Sequence, residues 1–325
     1  MKEQKLSYEE AMASPCQTCR SSPCCSMLQL DVLTTIGLME LDKINFYLNF
    51  DNIEILLTEG WEWNIYYHYP CRYYGPGESK CRIHDTGQQP GVCIHYNPYS
   101  CFYKKLDRAR HNPGRGMIWI NRERLDFLLS QISFAEDRKI AEIPETAKLH
   151  EPLSRIPYRV PHQVTVPGEG EPTISAKKAV KSHVDLQNPC QECDAYCCRS
   201  LMLPQSKPLT YTSLDFNRYA LCFPGIELGI SDDTWYIVAQ TRCRHLEDSG
   251  CAVYDKEERP LVCRYYNARQ CAHKACFEKA SPNGFMRVGY EEFDRLMETF
   301  KFDEDGNIIA DYGVNSLREH LSASR

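Results

Sequence analysis

Apolar and polar positions follow the same order twice along this chain. After the Cys24-Cys25 pair, SMLQLDVLTTIGLMELDKINFYLNF reads as a short apolar strand and then a helix, and RSLMLPQSKPLTYTSLDFNRYALCF after Cys197-Cys198 reads the same way. Each helix is opened by Thr or Ser, whose hydroxyl can cap free backbone N–H groups. Two strand-like runs follow in each half, NIEILL with WEWNIYYHY and GIELGI with TWYIVAQ. The turn residues between them, Glu59-Gly60 and Ser231-Asp232-Asp233, predict a hairpin in each half. Further on, GMIWINRERLDFLLSQI and GFMRVGYEEFDRLMETF align without a gap and predict a strand followed by an amphipathic helix. Leu125, Leu128, Leu129 and Ile132 match Phe293, Leu296, Met297 and Phe300, the i, i+3, i+4, i+7 stripe of one buried face.

These patterns set the domain organisation: a first repeat at residues 10–132, a Pro-rich linker at 133–183, a second repeat at 184–301 and a tail at 302–325. The linker holds six of the 19 prolines and is expected to be a largely extended spacer, long enough to let the halves pack together. In the tail, Asp305-Gly306 between apolar residues predicts a hairpin turn. Its acidic run lacks the ligand spacing and terminal Glu of a calcium loop.

Cysteine changes the picture most. Sixteen of the 18 cysteines form two sets of eight: Cys16, Cys19, Cys24, Cys25, Cys71, Cys81, Cys93 and Cys101, then Cys190, Cys193, Cys197, Cys198, Cys243, Cys251, Cys263 and Cys271. In both, the last three are separated by 11 and then 7 residues. CxxC lets two sulfurs reach one ion from a single turn, and a pair from a distant segment closes a tetrahedral site. Eight thiols suit two four-thiolate zinc sites, one iron–sulfur cluster with four supporting cysteines, or a polynuclear site with bridging sulfurs. Adjacent cysteines do not easily bind the same ion, so one of each pair is assigned to bridging or to the outer shell. Cys222 and Cys276 have no repeated partner and read as small buried apolar residues. The fold class expected is α+β: two tandem Cys-rich repeats, each with short antiparallel strands and two or more helices around a thiolate metal site.

Thiolate clusters carry excess negative charge and need cations or N–H donors nearby. Six cysteines are followed directly by arginine, at Arg20, Arg72, Arg82, Arg199, Arg244 and Arg264, where composition alone predicts roughly one such pair. The formal charge of −6 gives no electrostatic reason to expect nucleic acid or an anionic membrane as partner. The first residues, MKEQKLSYEEAMASPC, have no apolar run, and no stretch reaches membrane-span length, so the expected location is a reducing cytoplasm. There, metal ligation outranks a disulfide framework.

Weaker candidates follow. His84 and His95 match Tyr254 and Tyr265, so neither histidine is shared between the halves, whereas Asp85 and Asp255 correspond. The aromatic run Trp61, Trp63, Tyr66, Tyr67, Tyr69, Tyr73 and Tyr74 reads as core strand or inter-repeat packing rather than a base-stacking platform.

The second half, CQECDAYCC followed by CRHLEDSGCAVYDKEERPLVCRYYNARQC, resembles the CxxCxxCC cysteine-cluster (YkgJ-like) family, a zinc- or iron-chelating domain with a related module in bacterial flagellin lysine-N-methylases. The resemblance implies a metal role for Cys190, Cys193, Cys197, Cys198, Cys243, Cys251, Cys263 and Cys271. The motif arginines Arg259 and Arg264, with Arg72 and Arg244, are the cofactor-binding candidates. The first half keeps the cysteines but departs at Gln89 for Arg259, Ile94 for Arg264 and His84 for Tyr254.

The expected function is metal binding, by zinc or iron, with a [4Fe–4S] cluster as one form. The alternatives are an iron–sulfur redox or protein-modifying enzyme related to the methylases, and a structural zinc module that meets a partner protein. No glycine-rich cofactor turn after a strand is visible, nor a CxxxCxxC radical-SAM motif.

Overall fold

The computed structural model describes residues 22–35, 37–74, 81–84, 86–97, 99, 101–111, 116–160, 193–247, 250–267, 271–277, 285–310 and 312–323. The elements in chain order are β1 Met27–Thr34, α1 Leu38–Tyr47, β2 Ile53–Thr58, β3 Glu62–His68, α2 Gly91–Ile94, α3 Phe102–His111, β4 Met117–Ile120, α4 Arg122–Ser130, β5 Ser133–Phe134, β6 Ile140–Glu142 and α5 Thr146–Ser154. They continue with β7 Ser200–Gln205, α6 Tyr211–Leu221, β8 Ile226–Ile230, β9 Trp235–Gln240, β10 Leu246–Glu247, β11 Gly250–Cys251, α7 Leu261–Arg264, α8 Ala272–Phe277, β12 Met286–Val288, α9 Tyr290–Met297 and α10 Val314–Ala323.

Helices and antiparallel sheets mix throughout, and two four-stranded sheets dominate. One runs β1-β3-β2-β4 and the other β7-β9-β8-β12, the same order in each half with every pairing antiparallel. The predicted hairpins are β2–β3 and β8–β9. Alternation along β3 buries Trp63, Ile65 and Tyr67 against one core and Tyr66 against a smaller cluster with Leu106 and Trp119 on the opposite face. The aromatic run from Trp61 to Tyr67 is therefore strand packing. The amphipathic helices also form as expected, with Leu125 and Leu128 of α4 and Phe293 and Leu296 of α9 fully covered. Among the described residues, no helix is long and apolar enough to cross a membrane.

The two halves meet through backbone as well as side chains. The Arg244 N–H donates to the Asn49 carbonyl at 2.7 Å, and the Arg72 N–H to the Cys222 carbonyl at 2.9 Å. Hydroxyls repeat the exchange, with Tyr67 Oη donating to the Pro224 carbonyl at 2.9 Å and Thr241 Oγ1 donating to that of Asp51. The Asp51 N–H also donates to the Arg242 carbonyl at 3.0 Å, a bond its counterpart Pro224 has no N–H to make.

Two expectations change. The α6 helix is capped as predicted, by Thr210, whose side chain accepts from the Ser213 N–H at 3.2 Å in a capping box. The α1 helix instead begins at Gly37 with no side-chain cap. Its Leu38 N–H is satisfied by the Arg138 carbonyl at 3.1 Å, because the β5–β6 ribbon lies against the helix start. That ribbon and α5 belong to residues expected to be extended. Leu149 and Leu153, four apart on α5, are buried in the main core, and that apolar pair outweighs the prolines around it. Residues 161–183 of the spacer lie outside the described residues. In the tail the Asp303 N–H pairs with the Asn307 carbonyl around Gly306 at φ +81°, the predicted turn.

Candidate metal centres

Each half presents its adjacent cysteines from a single 3-10 turn, Pro23–Cys25 and Tyr196–Cys198. The residues before them, Ser22 at φ 34° and Ala195 at φ 55°, are left-handed, which swings the chain into the turn. The Cys71 N–H donates to the Cys25 carbonyl at 2.7 Å, and the Cys243 N–H to the Cys198 carbonyl at 2.8 Å. The strand-exit thiol is thus pinned against the opening turn in the same way twice. Cys81 bridges to Tyr74, while Cys251 pairs with Leu246 in the short β10–β11 hairpin. Cys93 and Cys263 ride on α2 and α7, opened by Pro90 and Pro260 with ψ of 141° and 143°. The last thiols are held by phenols: Tyr96 Oη to Cys101 Sγ and Tyr266 Oη to Cys271 Sγ, both 3.5 Å.

Thiols in each half act on one another electrostatically, Cys25 among them through Cys24, Cys71 and Cys93. Burial pushes Cys93 well above the ordinary thiol range, and the charges of Cys24, Cys71 and Cys81 push it further. Cys263 is pushed up to about 12 by burial first, then by Cys197, Cys243 and Cys251 against the opposing pull of Arg259. Cys81 and Cys251 are raised by burial and by the same neighbours in their own halves. Cys24 and Cys197 are lowered by hydrogen bonds from their adjacent partners Cys25 and Cys198. Cys243 falls to about 7 through a hydrogen bond from Cys198, helped by Arg244. Cys71 is lowered first by a hydrogen bond from Cys222. Cys24, Cys71, Cys81 and Cys93 therefore lie within one another's electrostatic reach, as do Cys197, Cys243, Cys251 and Cys263. Among the described residues, no three His, Cys, Asp or Glu side chains converge on one point closely enough to hold a metal ion.

No match to the chain is found among protein-family models, curated proteins or solved structures.

Cys16, Cys19, Cys190, Arg20 and Asp85 lie outside the described residues. Cys193 lies near Cys197, and burial raises it. Cys25 is 3.9 Å from Cys24, sulfur to sulfur. Arg72 donates to the Leu221 carbonyl at 3.3 Å and stacks on Tyr290, and its charge favours the Cys71 thiolate. Arg259 bonds the Cys263 carbonyl at 2.8 Å and lies 4.0 Å over the Tyr254 ring, and its charge favours the thiolates of Cys197, Cys251 and Cys263. Arg264 turns to the Arg259, Lys256 and Glu257 carbonyls, so it braces the loop. In the first half, Gln89 at the Arg259 position is buried, and its carbonyl accepts from Arg218 at 3.2 Å.

Cys276 is a buried apolar residue as expected. Cys222 is buried too, but its thiol bonds Cys71 of the other half, a relation no spacing within one half could reveal.

Proposed function

We propose that the protein binds zinc or iron at two four-thiolate clusters, Cys24, Cys71, Cys81 and Cys93 in one repeat and Cys197, Cys243, Cys251 and Cys263 in the other. The observation that carries the reading is geometric: both halves hold these positions alike, with the Cys71 N–H on the Cys25 carbonyl and the Cys243 N–H on the Cys198 carbonyl, and with Cys93 and Cys263 on short turns after Pro90 and Pro260. Burial alone places no demand on matched thiols in matched halves. Four soft sulfurs are a donor set for zinc or iron, and a bound cation would draw these thiols into one coordination sphere as thiolates. On this reading the chain is a tandem duplication of a Cys-rich α+β module similar to the YkgJ-like family. Cys25 and Cys198 bond the ligand sulfurs beside them, and Cys101 and Cys271 are held by tyrosine. Arg72, Arg244 and Arg259 offset the cluster charge.

Anaerobic purification with metal analysis and a visible spectrum tests this. Colourless protein with about two zinc ions per chain supports paired zinc sites. Brown protein with iron and acid-labile sulfide supports iron–sulfur clusters and brings the redox enzyme forward. Metal-free protein with every thiol freely titrating overturns the reading.

A further inference from the structure

Asp42 and Asp215 occupy the same place in their helices, the fifth residue of α1 and of α6. Each carboxylate crosses to the opposite repeat. Asp42 Oδ2 accepts the Leu261 N–H and, at 3.4 Å, the Val262 N–H, the first two amides of the turn that carries Cys263. Asp215 Oδ2 accepts the Val92 N–H at 3.3 Å, in the turn that carries Cys93. Asp215 lies so close over that turn that a Cβ on Gly91 would meet its Oδ2 at 3.0 Å. Pro90 and Pro260 precede these turns and supply no N–H. A free turn end needs an acceptor for its first amides, and in both cases the acceptor comes from the other repeat. Main chain does the same at the strand exit, where the residues after Cys71 and Cys243 donate to Cys222 and Asn49 at the ends of α6 and α1.

We propose that Asp42 and Asp215 are positioning residues that act in trans between repeats: Asp42 sets the Cys263 turn of the second cluster, and Asp215 sets the Cys93 turn of the first. Neither cluster is complete within its own repeat, so metal binding at one depends on the folding of the other. This rests on the metal-binding reading above, and the test separates the two.

Cobalt(II) serves as the probe, read by its thiolate charge-transfer absorption, in two backgrounds of the full chain. Cys81→Ser with Cys93→Ser leaves only the second cluster, and Cys251→Ser with Cys263→Ser leaves only the first. Asp42→Ala is expected to weaken cobalt binding at the second cluster by about tenfold or more, the worth of a hydrogen bond to a charged group, and to change the first by less than about twofold. Asp42→Asn, which keeps an acceptor, should fall between wild type and Asp42→Ala, and it carries the test alone if the alanine variant does not fold. Asp215→Asn should show the opposite preference. Equal loss at both clusters, or loss confined to the cluster in the mutated residue's own repeat, overturns the proposal. Amide exchange in the metal-free chain gives an independent reading. Asp42→Asn should speed exchange at Leu261 and Val262 but not at Val92. If wild type takes up no cobalt, the metal reading fails while exchange still decides the positioning: faster exchange at those two amides upholds it, and unchanged exchange overturns it.

Discussion

The guanidinium carbon of Arg72 lies 4.5 Å from the centroid of the Tyr290 ring, stacking a residue of the first half on one of the second. The residue aligned with Tyr290 is Arg122, which lies near Arg244 instead. Burial and the Arg244 charge lower Arg122, whose guanidinium is held by Asn45 at 2.6 Å and Asn49 at 2.5 Å. One end of the interface is thus a cation on an aromatic ring, and the other is two like charges, one of them hydrogen-bonded to two side-chain amides. Tyr290→Leu should cost about 1–2 kcal/mol, from the lost cation–π contact and an imperfect fill. Urea midpoints at constant m check this, and a change under about 0.3 kcal/mol would show the stacking to be idle.

Arg124 is buried at 5% exposure, and its guanidinium donates to the Ile156 carbonyl at 2.7 and 3.0 Å and to the Trp119 carbonyl at 2.7 Å. That fork fastens the segment after α5 to the β4–α4 corner. Arg124→Lys keeps the charge but not the planar fork, and should destabilise by roughly 2–4 kcal/mol. Limited proteolysis should then cut near residue 156 faster than in wild type.

Gly116 and Gly306 are both left-handed, at φ +77° and +81°, but only Gly116 is crowded. A Cβ there would sit 2.0 Å from Glu59 Cγ, whereas at Gly306 the nearest atom is Tyr211 Cβ at 4.0 Å. Gly306→Ala should cost about 1 kcal/mol of backbone strain, and Gly116→Ala clearly more, because Glu59 must move. Equal thermal shifts for the two variants would refute the distinction.

On the proposed reading the thiols divide by role. Cys93→Ser and Cys263→Ser should each reduce bound metal from about two ions per chain to about one. Cys101→Ser, Cys271→Ser and Cys276→Ala should leave it unchanged, since these sulfurs face tyrosine or core. Metal analysis on the purified variants decides, and loss of metal from Cys276→Ala would mean that the ligand set is wrong.

Burial raises Cys81, Cys93, Cys251 and Cys263 in the metal-free fold, and does the same to Tyr66 and Tyr67. Groups with raised folded values favour folding below their unfolded values and lose that contribution as pH rises, because the unfolded chain ionises first. Cys24, Cys71, Cys197 and Cys243 are lowered and work the other way, but the raised groups outnumber them, so the metal-free protein should be less stable to urea at pH 10 than at pH 8. A midpoint that rises across that interval would show that the lowered thiols, not the buried raised groups, dominate.

Local order was legible where periodicity was strong. The hairpins around Glu59-Gly60 and Ser231-Asp232-Asp233, the stripe from Leu125 to Ile132 and the turn at Gly306 all follow from pattern and turn chemistry. The start of α1 was not legible, because its first amide is met by Arg138, about a hundred residues away. The α5 helix was hidden by Pro152, which lies within it while Leu149 and Leu153 are buried. At the site, spacing singled out sixteen thiols but could not divide them into those linked four at a time and those tied to tyrosine. Asp42 and Asp215 carried no signal within either half, since each acts on the other.

X-ray absorption at the edge of the bound metal tests the central claim most directly. The account predicts about two metal ions per chain, each with a first shell of sulfur only at about 2.3 Å, and a shell that survives Cys101→Ser and Cys271→Ser. A shell dominated by nitrogen or oxygen, or a chain that retains no metal after anaerobic purification, would contradict it.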